Sequence, residues 1–308
     1  MNLLRYIEKP TRVISTLMNK GKFNFLSDRK FLKLLYRINF GKKLNLDNPQ
    51  SFNEKMQWLK LYDRNPIYTT MVDKYEVKQY VADKIGEEYI IPTLGVWDKF
   101  EDIDFDKLPQ QFVLKCTHDS GGLVICRDKS KLDIDSARKK ITRCLERNYF
   151  SSSREWPYKN VKPRIIAEKF MQESDENELT VKGLVDYKFF CFNGAPEWLY
   201  ISKGLENHST ARISFFDLDG KEMPFRRRDY APFDTELKLP ENYEQMKKIA
   251  EKLAKEVNNA FVRIDLYSIN NNIYFSEITF SPCSGMIPFE PEEWDLKLGE
   301  YIKLPIND

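Results

Sequence analysis

The chain has 308 residues, enough for one large α/β domain or for two to three smaller lobes. A hydrophobic content of 42% with 14% aromatics supports a packed core and excludes a disordered or low-complexity chain. The net charge of +2 gives no reason to expect nucleic acid, but its distribution is uneven: Met1 to Asn45 carries eleven Lys and Arg against only Glu8 and Asp28, so this segment is expected to meet something anionic.

Residues 1–45 read as two helical stretches. Leu3, Leu4, Ile7, Val13, Ile14 and Leu17 mark the first, broken near Pro10; Phe31, Leu34, Leu35 and Ile38 mark the second, with Ser27 or Asp28 as its cap. Arg5, Glu8, Lys9 and Arg12 interrupt the first stretch, so it is not read as a signal peptide, and no apolar run reaches bilayer length. A cytoplasmic protein is expected. Ser51 and Glu54 have the spacing of a capping box and open a helix carrying Met56, Leu59 and Trp58 inward. A further helix runs from about Asp73 to Ile85 and stops at Gly86; Ile90 to Leu94 then reads as a strand.

Gln111 to Cys116 and Leu123 to Cys126 read as strands around the tip Thr117-His-Asp-Ser-Gly-Gly122. Paired glycines let backbone N–H groups approach a phosphate, and Lys115 at the strand end is aimed at the same place. No GxxxxGK[ST] loop occurs. Ser136 to Asn148 reads as a helix, Arg164 to Met171 as a buried strand, and Asp186 to Phe192 with Trp198 to Ile201 as a pair joined at Asn193-Gly194. Alternation puts Asp186 and Lys188 on one face. Lys203 to Glu236, with Arg226, Arg227 and Arg228, reads as an irregular loop whose arginines either face solvent or hold an anionic acceptor. Glu244 to Asn258 is a helix with Met246, Ile249, Leu253 and Val257 as its stripe.

The chain then alternates through Phe261 to Tyr267, turns at the asparagine-rich Ser268 to Asn272, and alternates again through Ile273 to Phe280. Arg263, Asp265 and Tyr267 share one face; Ile273, Phe275, Glu277 and Thr279 are expected to share another. A turn centred on Asn271 places Asp265 opposite Glu277, about 5 Å apart. Like charges at that spacing repel unless a cation joins them, and hard oxygens suit Mg²⁺ that also holds phosphates. Arg263 on the same face adds to a phosphate site. The five cysteines are odd in number and lack a CxxC pair, and the two histidines are too few for a zinc site.

Together these runs resemble the ATP-grasp fold, and its TupA-like branch, found with bacterial surface-polysaccharide biosynthesis, over most of the chain. The motifs are Phe52 to Lys60, Asp73-Lys74 with Lys78 to Val81, Ile91 to Leu94, Lys115 to Gly122, Arg154 to Lys159, Ala167 to Phe170, Asp186 to Gly194, Val262 to Tyr267, and Glu277 to Phe280 with Gly285. The resemblance implies an α/β protein (α+β lobes) with ATP between two lobes and a basic helical N-terminal segment. Its divisions would be residues 1–50, a first lobe 51–110, a small lobe with a mobile glycine loop 111–172, and a large lobe with the Mg²⁺ site 173–308. It implies ATP α-phosphate contact by Lys115, loop closure over the other phosphates by His118, Ser120, Gly121 and Gly122, and a hinge reading the adenine edge at Glu168, Lys169 and Met171. It further implies ribose contact by Asp186, phosphoryl contacts by Lys188 and Arg263, and Mg²⁺ ligation by Asp265 and Glu277, with Thr279 where many relatives have Asn.

The expected reaction is a ligation of a carboxylate to an amine through an acyl phosphate, with ATP and Mg²⁺. The resemblance suggests a uronic acid of a capsular or other surface glycan as carboxylate and an amino acid as amine. A sugar kinase or other transferase is the alternative. The basic N-terminus is expected to contact an anionic membrane at its inner face, or the glycan itself.

Overall fold

The computed structural model describes residues 14, 16–18, 21–173, 183–205 and 209–305. Leu3, Leu4, Ile7 and Val13 therefore lie outside the described residues. The first helices are α1 (Asp28–Phe40), α2 (Phe52–Tyr62), α3 (Ile67–Val72) and α4 (Glu76–Ile85). Ser51 and Glu54 complete both halves of the capping box on α2, so the orphan N–H groups of its first turn are met by side chains. Phe31, Leu32, Leu35 and Tyr36 of α1 are buried with Leu61 of α2, so α1 packs by its apolar side onto the body.

The first sheet has the order β1-β4-β2-β3, all neighbours antiparallel: β1 (Thr93–Trp97), β2 (Phe112–Cys116), β3 (Leu123–Cys126) and β4 (Ile165–Lys169). Helix α5 (Ile134–Leu145) covers it, with Ala137 and Ile141 inserted among Phe112, Leu114 and Ile165. A short helix α6 (Phe150–Ser153) follows. Within residues 51–110, β1 joins the first sheet, whereas α2 to α4 pack on the second.

The second sheet is antiparallel in the order β10-β9-β5-β6-β7: β5 (Val185–Phe192), β6 (Ala195–Lys203), β7 (Arg212–Asp217), β9 (Phe261–Ile269) and β10 (Asn272–Thr279). A small pair, β8 (Arg226–Arg227) and β11 (Phe289–Glu290), lies apart. Helix α7 (Tyr243–Val257) buries Met246, Ile249, Leu253 and Val257 on one face of the sheet, as its stripe requires; an aromatic cluster around Phe190, Trp198, Phe215 and Phe261 fills the other. Helix α8 (Glu293–Gly299) closes on α2. The irregular reading of Lys203 to Glu236 is corrected by β7, a sheet edge. Adjacent Phe215 and Phe216 both find apolar cover, one on each side, and hide the period of two.

Asp265 pairs with Glu277 as expected, by a different route. The turn is the two-residue Asn270-Asn271, both at positive φ, which the primed hairpin turns require and asparagine tolerates. From it Phe275 pairs with Leu266, and Glu277, not Ser276, pairs with Asp265: Ser276 is an extra residue, a bulge. Ile273 and Phe275 consequently stay with Leu266 in the core, whereas Glu277 and Thr279 lie on the opposite face with Asp265 and Arg263. The expectation that all four shared one face is thus corrected.

Candidate active site

A cavity of about 550 Å³ opens between the two sheets. Its walls are apolar at Ile91, Val113, Ile125 and Phe275 and charged at Lys115, Lys188, Asp186 and Glu277. Apolar and charged walls together suit a flat heterocycle joined to phosphates.

At the charged wall, Asp265 is fully buried. Its Oδ1 accepts from Arg263 Nε at 2.7 Å, and its Oδ2 accepts from Arg263 Nη2 and from Lys188 Nζ, both at 2.6 Å. Strand register explains this: Lys188 of β5 lies opposite Asp265, and Glu277 lies opposite on the other side. Arg263 Nη2 also donates to Glu277 Oε1 at 3.0 Å and to Thr279 Oγ1 at 3.1 Å, while its Nη1 donates to the Tyr200 hydroxyl at 3.2 Å. Burial would raise the Glu277 carboxyl, but Lys188 and Arg263 outweigh it and hold the group at about 2. Burial wins at Asp265 and Asp186, whose carboxyls are raised against the pull of neighbouring cations. Asp186 lies 3.3 Å from Lys188 Nζ, and its Oδ1 is buried without a hydrogen-bond partner.

Three carboxylates and a hydroxyl around two cations form a donor set of hard oxygens. Asp265 and Glu277, with Thr279 hydrogen-bonded to Glu277 at 3.3 Å, are the residues that would hold Mg²⁺. Among the described residues no group of three or more His, Cys, Asp or Glu converges as a complete metal cage. That fits an ion that takes one or two carboxylates from protein and completes its shell with phosphate oxygens. Arg263 Nη2 joins the two carboxylates, 2.6 Å from Asp265 Oδ2 and 3.0 Å from Glu277 Oε1.

At the hinge, Glu168 is buried between two lysines, 2.6 Å from Lys115 Nζ and 2.6 Å from Lys78 Nζ. Burial opposes its ionisation, yet the two cations hold it at about 2. Its side chain thus fixes Lys115 at the cavity, a positioning role beside the backbone contact the resemblance implied. Lys169 and Met171 line the same wall. Lys78, from α4, and Lys74 also line the cavity, and Lys74 Nζ donates to the Asp119 carbonyl at 2.9 Å. Sequence reasoning gave these two lysines no role, though both stood in quoted motifs; a helix reaching in from another part of the chain leaves no local signal.

In the glycine loop, Ser120 lines the cavity. His118 does not, and its expected phosphate role is corrected: it is buried, with Nε2 3.1 Å from both the Cys144 and Arg147 carbonyls, so Nε2 carries the proton and donates. Burial lowers its pKa and keeps it neutral. It ties the loop to the end of α5. Gly121 donates its N–H to Asp119 Oδ1 at 3.1 Å and has ordinary space for a Cβ. Gly122 has none: a Cβ would come within 2.5 Å of Cys116 Sγ. Gly122 is therefore required by packing. In the arginine run, Arg226 pairs with Glu290 at 2.6 Å and Arg227 is buried, its guanidinium forked onto Asp229 at 2.9 and 2.6 Å. Of the three, Arg228 is exposed with no ion pair among the described residues.

Two lobes, a nucleotide-sized cleft and a carboxylate pair beside a lysine and an arginine define an ATP-grasp protein. The family model described as TupA-like ATPgrasp matches residues 54–303, and the chain belongs to that family. A search of the curated proteins finds no match. Among solved structures, D-alanine–D-alanine ligase from Bacillus anthracis complexed with ATP is 15% identical, with 70% of this chain and 57% of that chain covered and a TM-score of 0.41. D-alanine–D-alanine ligase from Helicobacter pylori is 16% identical, with 84% and 68% covered and a TM-score of 0.43. A RimK domain ATP-grasp protein from Sphaerobacter thermophilus is 11% identical, with 76% and 69% covered and a TM-score of 0.40. The chain spans 57% and 61% of the length of the two Bacillus anthracis ligase structures it matches.

Proposed function

We propose that the protein joins a carboxylate to an amine through an acyl phosphate, the carboxylate being a uronic acid of a bacterial surface polysaccharide and the amine an amino acid. The observation that carries this reading is the Lys188–Asp265–Arg263–Glu277 lattice at the charged wall of the cavity. In it two cations are held where negative charge develops as a carboxylate oxygen attacks the γ-phosphorus of ATP. Fixed cations in a water-poor site stabilise such charge without reorganising. Mg²⁺ held at Asp265 and Glu277 would neutralise phosphate oxygens. Lys115, fixed by Glu168, steadies the nucleotide, and Lys188 and Arg263 face the transferred group. The amine then takes the acyl carbon and phosphate leaves, so no protein nucleophile is needed.

ADP release should depend on a uronic acid and an amine together, with ATP and Mg²⁺. Mass spectrometry of products from pooled uronic-acid glycans, amino acids and ATP should show the amide. A phosphorylated sugar formed without amine would replace this reading with the kinase.

We further infer that the N-terminal segment rests on an anionic membrane surface. Lys30, Lys33 and Arg37 are exposed at i, i+3 and i+7 on one side of α1, without acidic partners among the described residues, and Phe25 is 79% exposed. Arg29 is committed to Asp47 at 2.6 Å and does not contribute. Among the described residues no helix is long and apolar enough to cross a membrane, so the contact is peripheral. Replacing Lys30, Lys33 and Arg37 with Ser should abolish sedimentation with anionic liposomes at low salt. Equal sedimentation of both proteins would leave the glycan as the partner of this face.

A further inference from the structure

Two of the runs that carry the family resemblance, Phe52 to Lys60 and Arg154 to Lys159, meet the tight turn Ser281 to Gly285 at a place to which none of the roles above reaches. That turn follows β10, with Cys283 at φ 52° and Ser284 at φ 57°, left-handed conformations that non-glycine residues adopt at a cost. Side chains of α2 hold that turn in place. Gln57 Nε2 donates to the Gly285 carbonyl at 2.6 Å, and Lys60 Nζ donates to the Ser284 carbonyl at 2.9 Å and to Gln57 Oε1 at 2.8 Å.

The strained turn presents the Ser284 hydroxyl to Glu155. Glu155 is 4% exposed, and its Oε1 accepts from Ser284 Oγ and from Ser153 Oγ, each at 2.9 Å. Its Oε2 has no hydrogen-bond partner among the described residues, and Glu155 makes no direct ion pair there either. Glu155 and Tyr158 both sense the charge of Glu277, Tyr158 senses that of Arg263 as well, and Ser120 of the glycine loop donates its hydroxyl to the Tyr149 hydroxyl at 3.4 Å. The Tyr149 and Tyr158 rings touch, with centroids 4.7 Å apart. Ser120, which lines the cavity, is the residue that joins this cluster to it.

Resting on the ligase reading, we propose that Glu155 receives the cationic amine of the second substrate and takes its proton, with Ser153 and Ser284 orienting the carboxylate. The ammonium gives one N–H proton to Glu155 Oε2. The freed nitrogen pair forms the C–N bond to the acyl carbon while the C–O bond to phosphorus breaks, and phosphate leaves with that electron pair. The second N–H proton goes to the departing phosphate, and Glu155 returns its own to water. The surrounding titratable groups suit the task. Burial above all, with Glu277 adding to it, raises the Glu155 carboxyl against the opposing pull of Lys60. Lys60, lowered by burial to about 8, is the facing cation; Tyr149 and Tyr158 are raised and stay neutral.

The test compares two nucleophiles on wild-type protein and Glu155→Gln, with ATP, Mg²⁺ and a panel of uronic acids. Amino acids arrive protonated and need a base; hydroxylamine arrives neutral and needs none. Glu155→Gln should lower amide formation about 10²-fold or more while leaving hydroxamate formation near wild type, and should remove the acidic limb of the amide pH profile. Ser284→Ala, which keeps the charge, should shift that limb with a smaller loss and carries the test if Glu155→Gln does not fold. Equal loss of both products, or unimpaired amide formation by Glu155→Gln, overturns the assignment. Absence of carboxylate-dependent ADP release from the wild type across the panel overturns the ligase reading beneath it.

Discussion

Replacing Asp265 with Asn tests the charged wall of the cavity on two independent counts, stability and turnover. Asp265 receives three charge-assisted hydrogen bonds from Arg263 and Lys188, all between 2.6 and 2.7 Å. Removing one member of a buried charge cluster costs about 3–5 kcal/mol. The lower end applies here, because Asn keeps one carbonyl acceptor and Arg263 still reaches Glu277 at 3.0 Å. An unfolding entropy of roughly 2.1 cal/mol/K per residue turns about 3 kcal/mol into a fall in Tm of about 5 °C for a chain of this length. Thermal melting of the free protein reads that number, and ADP release with Mg²⁺ reads the chemistry. Turnover should be lost, because a bound ion would keep only Glu277 as a carboxylate ligand. A variant that melts with the wild type would refute the ion-pair account, and near-normal turnover would refute the metal assignment.

Lys115→Ala should weaken ATP binding in a nucleotide titration, since the cation that Glu168 fixes at the cavity is gone; unchanged affinity would remove it from the nucleotide site. Gly122→Ala should cost about 1–3 kcal/mol in urea melts because its Cβ overlaps Cys116, while Gly121→Ala should leave stability unchanged. Glu168 has its folded pKa depressed from 4.5 to about 2, so its stabilisation is complete above about 4.5 and is lost as pH falls towards 2. Glu168→Gln should therefore melt lower than wild type at pH 7 and lose part of the acid dependence between those values; parallel curves would contradict it. Arg228→Ser should raise the acceptor KM and spare ATP affinity, whereas Arg226→Ser, whose partner is the exposed Glu290, should change neither.

The elements whose signals are local were legible. The capping box at Ser51 and Glu54, the stripe of α7 and the Asn193-Gly194 turn each rest on residues a few positions apart, and the structure has each in place. The Asp265–Glu277 pairing was legible too, but the alternation beyond it was not, because a bulge breaks the period without altering composition. His118 was misplaced because a histidine in a polar loop reads as exposed, and only its position beneath the carbonyls of Cys144 and Arg147 shows otherwise. The Lys78–Glu168–Lys115 clamp and the Glu155–Ser284–Lys60 cluster join residues from distant parts of the chain, which no window of sequence brings together.

The extra residue at Ser276 separates two properties that a regular hairpin would tie together. Counting from the Asn270-Asn271 turn, a strand lacking Ser276 would still set Glu277 across from Asp265 on an unbroken ladder. With Ser276 present, an unshifted ladder would set Ser276 itself across from Asp265, so partner choice belongs to the turn and the bulge together. The bulge adds local twist and leaves Ser276 outside the pairing, on the cavity wall, while Phe275 keeps its seat against Leu266. It works as a vernier: the turn sets the ladder, and the single unpaired residue advances it by one so that the two carboxylates meet.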